Sequence, residues 1–166
     1  MNFLQPTTRA YAQEIVAVEV GPEFNREVQC LAENIYYEAG SESYEGKLAV
    51  AQVTLNRVES GRFASDICGV VYQKNRINNS VVCQFSWVCE GKGNPNRNSH
   101  NYQSSLQVAY DVLAYNKYEE VIPKSVLFFH NKSFTNEWPH TVVKTIGNHI
   151  FYEKKRVKKK PEKRKT

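Results

Sequence analysis

Cys-Leu-Ala-Glu-Asn-Ile-Tyr-Tyr-Glu-Ala-Gly-Ser-Glu-Ser-Tyr-Glu-Gly-Lys-Leu-Ala-Val-Ala-Gln-Val-Thr-Leu-Asn-Arg-Val, running from Cys30 to Val58, is the stretch that decides the fold. Its first part continues a pattern that starts upstream. Val28, Leu31, Ala32, Ile35, Tyr36 and Ala39 recur at spacings of three and four, which predicts an amphipathic helix from Asn25, with Asn25 as its cap. Gly40 and Ser41 end it. A second helix is predicted from Ser43 or Glu45 to Glu59, and Ser41 with Tyr44 or Glu45 approximates a capping box ahead of it. The centre of that helix, Leu48 to Val53, is apolar on most sides, so it should be the buried helix of the domain.

Further along, Asp66 to Tyr72 reads as a short helix. Residues 75–100 are rich in Asn, Gly, Ser and Pro and are interrupted by a strand-like run, Val81 to Trp87. A loop this long inside a compact domain is functional or disordered. Tyr102 to Asn116 has helical spacing, with Leu106, Ala109 and Leu113 on one face. Ser125 to His130 reads as a strand, and Gly147-Asn148 between two strand-like runs of Val142–Tyr152 signals a hairpin. The predicted class is α+β, mainly α: a helical core with a small β-hairpin element.

Composition sets the outer bounds. The chain has 166 residues, 41% hydrophobic and 23% charged, enough to bury a core without staples and too apolar to be disordered throughout. The formal charge of +5 divides unevenly. Nine of the 22 Lys and Arg and one of the 17 acidic residues lie in Lys154–Thr166, a segment of +8; the 13 basic and 16 acidic residues left give the body −3. Charges packed so densely repel, so this tail is expected to be disordered and to suit an anionic polymer or surface. Strong, salt-sensitive DNA binding would also follow from such a tail, but the acidic body argues against a specific nucleic-acid groove. No apolar run reaches the roughly 18 residues of a membrane span. Arg9 is the only basic residue among the first twenty, and the apolar run Ile15–Val18 is too short for a secretory h-region. Of the four cysteines, Cys83 and Cys89 are close enough in a loop to pair, Cys30 falls in a helical pattern as a small buried hydrophobe, and Cys68 fits either role. Metal binding has little support: there is no paired Cys-x-x-Cys, and His100, His130, His140 and His149 are scattered.

Glu38 is the most informative acid. At 100° per residue it lies beside Leu31 and Ile35, at the edge of the apolar stripe, and in the last turn of its helix. Partial desolvation and the negative end of the helix dipole should both raise its pKa. A carboxylic acid kept protonated near neutral pH is what glycosidic cleavage needs, since it gives its proton to the leaving oxygen. Position alone also allows a Glu that simply points to water. Glu42 and Glu45 stand at the start of the second helix, where acidic residues serve the dipole.

The stretch from Cys30 to Val58 resembles the SleB/CwlJ cell-wall hydrolase family, the spore-cortex-lytic enzymes and their bacterial and phage relatives. Ala32, Glu38, Ala39, Glu42, Gly46, Ala49, Val50, Val53, Asn56, Arg57 and Val58 match the family pattern. Gly69–Gln73, Gln84-Phe85-Ser86-Trp87, Phe129-His130-Asn131 with Trp138, and Ile146–Tyr152 resemble further family segments in the same order, so the resemblance covers about residues 28–152. It implies a lysozyme-like helical domain acting on peptidoglycan glycan strands, with Glu38 as the essential acid. It further implies a lytic transglycosylase cleaving between N-acetylmuramic acid and N-acetylglucosamine, with hydrolysis on the same fold, or wall binding without turnover, as alternatives. No cofactor is implied. The family's Arg-Gly after Glu-Ala is replaced here by Gly40-Ser41.

On this reading Glu42, Tyr37, Gln84, Phe85, Trp87, His130 and Asn131 are candidate substrate-binding residues. For Tyr37, Phe85 and Trp87, packing is an equal alternative, and for Glu42, service to the helix terminus. Tyr36 and Trp138 divide in the same way, and His149 is expected to serve packing or a hairpin hydrogen bond. The expected organisation is an N-terminal arm over 1–24, a catalytic domain over 25–153 and a basic tail over 154–166. The expected species is a monomer working at the cell wall or periplasm, its tail docked on anionic wall or outer-membrane polymers. With no leader visible, the route to the wall is left open between a phage lysis or virion-associated protein, a product released by lysis and a chain with an unrecognised leader.

Overall fold

A computed structural model describes residues 21–116 and 118–155; of the arm expected over 1–24 and the tail expected over 154–166, residues 1–20 and 156–166 lie outside the described residues, while α1 already begins inside the expected arm and the last strand ends at Lys154. Four helices come first in the chain: α1 (Pro22–Ala39), α2 (Tyr44–Glu59), α3 (Ile67–Val71) and α4 (His100–Leu113). Between α3 and α4 stand the hairpin β1 (Lys74–Ile77) and β2 (Ser80–Cys83) and a single 3-10 turn, Ser86–Val88. A three-stranded antiparallel sheet closes the chain: β3 (Val126–Asn131), β4 (His140–Ile146) and β5 (His149–Lys154), in the order β3-β5-β4. The expected α+β, mainly helical class is what is found.

Several boundaries differ from the sequence reading. α1 starts at Pro22, not Asn25, with Gly21 as its N-cap. Proline has the helical φ built in and lacks only a donor that the first turn cannot use; the Asn25 N–H already bonds the Gly21 carbonyl at 3.2 Å. Ser43, rather than Ser41, caps α2, its Oγ accepting from the Gly46 N–H at 3.2 Å. α4 begins two residues earlier than expected because Ser99 caps it, and it stops at Leu113. The run Val81–Trp87 is not one strand. Pairing with β1 ends at Lys74–Cys83, and the chain then turns Phe85 and Trp87 inward. The first hairpin turns on Asn78 and Asn79 at φ 47° and 65°, the left-handed pair that a two-residue turn favours.

α2 is the hub. Gly46 to Thr54 are all buried. One side of it packs with α1, α3 and α4 around Leu31, Ile35, Leu48 and Val108; the other packs Ala49, Val50 and Val53 against Val126, Ile146 and Phe151 of the sheet. Three polar side chains of α2 hold the segment leading into β3. Gln52 accepts from the Val121 and Ile122 N–H groups at 3.1 and 3.2 Å and donates to the Glu119 carbonyl at 2.7 Å. Asn56 donates to the carbonyls of Pro123 and Val126, and the Arg57 Nε to that of Leu127 at 2.9 Å. The bonds to Ile122, Val126 and Leu127 satisfy backbone groups of buried residues that would otherwise be left unpaired.

All four cysteines are paired. Cys83 joins Cys89, as their closeness allowed, but Cys30 is bonded to Cys68 rather than being a free hydrophobe. Residues 38 apart meet only because α3 packs across α1, a juxtaposition that local sequence does not encode.

Candidate active site

Glu38, in the last turn of α1, stands in the wall of an open cavity of about 890 Å³ between the helices and the sheet. Its carboxyl is pushed up to about 7, chiefly by burial; the positive charges of Arg57 and then Lys92 pull it back, and Glu90 adds a smaller upward push. The rise expected from position is present, and desolvation is its first cause. Gly40 closes the turn behind it so tightly that a side chain there would fall onto the Tyr36 carbonyl oxygen, so this backbone leaves no room for a larger residue at that position.

The structure brings six of the seven expected binding residues to the same cavity: Tyr37, Gln84, Phe85, Trp87, His130 and Asn131. They do not all present surface to it. Phe85 and Trp87 are only 3% and 7% exposed. Trp87 donates its indole N–H to the Asn34 side chain at 3.0 Å, and Asn34 in turn donates to Thr54 of α2. Trp87 is thus a fixed plate, against which the Tyr37 ring stacks at 4.5 Å. Tyr37 also donates its hydroxyl to the Gly93 carbonyl at 2.8 Å, which ties the loop carrying Lys92 to α1, and Lys92 lines the same cavity as Glu38.

Glu42 is the residue the structure does not bring into the lining. It folds against the second hairpin, where its carboxylate accepts from the Asn148 N–H at 3.2 Å and the Asn148 side chain at 2.9 Å. Gly147, at φ 54°, leaves no space for a Cβ, which would land on the same carboxylate. Glu42 therefore clamps the turn that sets His149 in the cavity wall. His149 is 4% exposed and burial lowers its pKa, so its ring is neutral at neutral pH. Its Nδ1 is buried without a hydrogen-bond partner.

Across the cavity the sheet offers a cluster of rings. His130 contacts Phe134, Trp138 and Tyr152 at centroid distances of 5.0, 4.9 and 5.0 Å. Its Nδ1 lies 2.8 Å from the Asn131 carbonyl and its Nε2 2.7 Å from the Tyr152 hydroxyl. A carbonyl only accepts, so Nδ1 carries a proton, and in the neutral ring Nε2 accepts from Tyr152. Both nitrogens are engaged, which makes His130 an oriented wall rather than a free base.

Trp138, for which packing and substrate contact are equal alternatives in the sequence, lines the cavity, and so do three residues with no such signal: Arg57, Lys92 and His149. Arg57 was visible only as one residue of a motif. Nothing local says that a helical arginine is 4% exposed beside a carboxyl group.

A family profile described as Cell Wall Hydrolase matches residues 41–152, starting three residues after Glu38. The spore cortex-lytic enzyme of Bacillus subtilis (strain 168) is 28% identical over 148 residues, 87% of this chain and 44% of the relative. That of Oceanobacillus iheyensis is 29% identical over 127 residues, 75% of this chain and 41% of the relative. The chain thus spans less than half the length of these relatives. Among solved structures, the catalytic domain of the germination-specific lytic transglycosylase SleB from Bacillus anthracis aligns with a TM-score of 0.57 at 26% identity, covering 83% of this chain and all of that one. The catalytic domain of the Bacillus cereus SleB protein shares the fold with a TM-score of 0.53 at 24% identity, over 78% of this chain and 91% of that one. With its profile match spanning both sides of the cavity from α2 to β5, the chain belongs to the Cell Wall Hydrolase family.

Proposed function

We propose that the protein cleaves the glycan strands of peptidoglycan as a lytic transglycosylase, between N-acetylmuramic acid and N-acetylglucosamine, with Glu38 as both acid and base. The observation that carries this reading is a half-buried carboxyl group in a cavity wall, held at about 7, so that it keeps its proton near neutral pH. In the first step Glu38 gives that proton to the leaving glycosidic oxygen as the C1–O bond breaks. The resulting carboxylate then takes the proton of the muramic C6 hydroxyl, whose oxygen closes on C1 to form a 1,6-anhydro end. No water enters, and Glu38 is protonated again for the next turnover.

Among the described residues lining the cavity, Glu38 alone carries a carboxyl group. A hydrolase would need a second one, as nucleophile at about 5–5.5 Å or as base at about 6.5–9.5 Å. Glu90 is the other carboxylate whose charge acts on Glu38, and it lies on an exposed loop, paired with Lys92 at 2.9 Å. The similarity to a structure described as a lytic transglycosylase favours the same choice. Tyr37 and Gln84 on one side and His130 and Asn131 on the other are assigned to the sugar rings and acetamido groups, with Phe85 and Trp87 stiffening that wall. Glu42 acts through the hairpin turn. Two disulfides suit an oxidising compartment such as the cell surface, and the basic segment from Lys154 to Thr166 is assigned to anionic wall polymers.

The test is digestion of purified peptidoglycan by the wild type and by Glu38→Gln, followed by mass spectrometry. Anhydro-ended fragments from the wild type alone are expected. Fragments heavier by one water would replace the transglycosylase with a hydrolase, and fragments from both proteins would remove Glu38 as the acid. No fragments from a folded wild type would leave a wall-binding protein without turnover.

A further inference from the structure

Arg57 carries a charge where a charge is costly. It is 4% exposed, and burial lowers its pKa to about 10, so it is still ionised at neutral pH. An ionised guanidinium taken out of water needs a counter-charge and a full set of acceptors. Arg57 has part of that set: Nε donates to the Leu127 carbonyl at 2.9 Å, and the guanidinium carbon lies 4.8 and 5.2 Å from the Phe85 and Phe63 ring centroids. One amino group, Nη1, is buried with no hydrogen-bond partner. If its task were only to hold β3, the Nε bond would suffice and the charge would be a burden.

The counter-charge is conditional. Arg57 lines the same cavity as Glu38, and Glu38 is the group whose charge bears on it. While Glu38 holds its proton there is no anion to meet. From this arrangement we infer that Arg57 is the positioning residue for Glu38, a fixed cation with an unused donor that stabilises the carboxylate formed when the proton leaves. The inference rests on Glu38 being the acid of the reaction. It explains how one carboxyl group serves two opposite steps: burial keeps the proton on before cleavage, and Arg57 keeps the anion stable enough to form.

The other groups facing Glu38 do not supply this. Lys92 and Glu90 come from the same exposed loop and are paired with each other. Tyr37 from α1 has its hydroxyl on Gly93, His130 from β3 has both nitrogens engaged, and His149 from β5 is neutral. α2 contributes Arg57.

The test compares Arg57→Met, which keeps the stem and loses the charge, with Arg57→Lys, which keeps the charge and loses the planar fork. Loss of the charge should move the alkaline limb of the kcat profile upward by about 1–3 pH units, the range an adjacent charge produces. It should also lower kcat about tenfold or more while KM changes less than about threefold, since only the reacting carboxylate is affected. Arg57→Lys should keep the limb near its wild-type position. A purely structural arginine predicts that both variants lose stability and neither moves the limb, and that result would overturn the inference. Should Arg57→Met not fold, ¹⁵N side-chain resonances of Arg57 in the wild type decide the matter. They should titrate with the Glu38 carboxyl and stop doing so in Glu38→Gln; resonances that ignore Glu38 would equally overturn it. If Glu38→Gln still cleaves peptidoglycan, the proposed function fails on its own, whatever the resonances show.

Discussion

Replacing Glu38 by Gln should stabilise the protein at alkaline pH and leave its stability almost unchanged at acid pH. The carboxyl of Glu38 sits at about 7 in the folded protein against an ordinary 4.5. A carboxyl whose pKa is raised by folding favours the folded state fully below the unfolded value, and that advantage disappears as pH rises from 4.5 through 7. The difference of about 2.5 units corresponds to about 3 kcal/mol, nearly all of it lost by pH 8. Glutamine has the shape of the protonated acid and never ionises. Urea unfolding of both proteins, disulfides intact, should therefore give equal free energies near pH 4 and a gap of about 3 kcal/mol in favour of the variant near pH 8, or roughly 5–10 °C in Tm for a chain of this size. The gap should open along the same pH range over which activity falls. Equal stability at both pH values would mean that Glu38 is solvated, and the case for it as a protonated acid would fall with it.

Three further outcomes are expected. Removing the Cys30–Cys68 bond by double alanine substitution should cost about 4 kcal/mol, and removing Cys83–Cys89 about 2 kcal/mol, because loops of 38 and 6 residues differ in closure entropy; denaturant titration should reproduce that order, and a reversed order would refute it. Gly147→Ala places a side chain at φ 54° and onto the Glu42 carboxylate, so a loss of about 2–4 kcal/mol is expected in the same assay, and a cost under about 0.5 kcal/mol would show that the Glu42 clamp yields. Deleting residues 156–166, which hold seven Lys or Arg and one Glu, should weaken binding to wall material bearing anionic polymers at low salt, with the difference vanishing at high salt; unchanged binding would remove the docking role.

What was legible in the sequence was what depends on neighbours in the chain. The apolar spacing from Val28 to Ala39, the unbroken centre of α2 and the Gly147-Asn148 turn each declare an element locally, and each is present. Glu38 could be picked out because its place on the helix puts it at the edge of a buried stripe. Asn25 and Pro22 are both start signals for α1, and proline at the first helical position prevails. The Cys30–Cys68 bond, the burial of Arg57 and the turn of Glu42 away from the cavity all depend on partners between 38 and 106 residues distant. Spacing carries no information at that range. Glu42 in particular has the same local signature whether it faces substrate or a hairpin.

The clamp formed by Gln52, Asn56 and Arg57 grips main-chain amides and carbonyls of residues 119–127 and ignores their side chains. Peptide groups are alike at every position except proline, so the grip cannot tell one sequence from another. The strand that carries Phe129, His130 and Asn131 thus hangs from α2 at its start, by fittings indifferent to side chains together with the packing of Val126 on Val50 and Val53, and both leave His130 and Asn131 out. A chain that keeps these three α2 residues is free to exchange the rings and amides facing the cavity without disturbing the distance between that wall and Glu38. Arg57 belongs to both arrangements at once, so the helix that suspends the wall also carries the charge beside the acid.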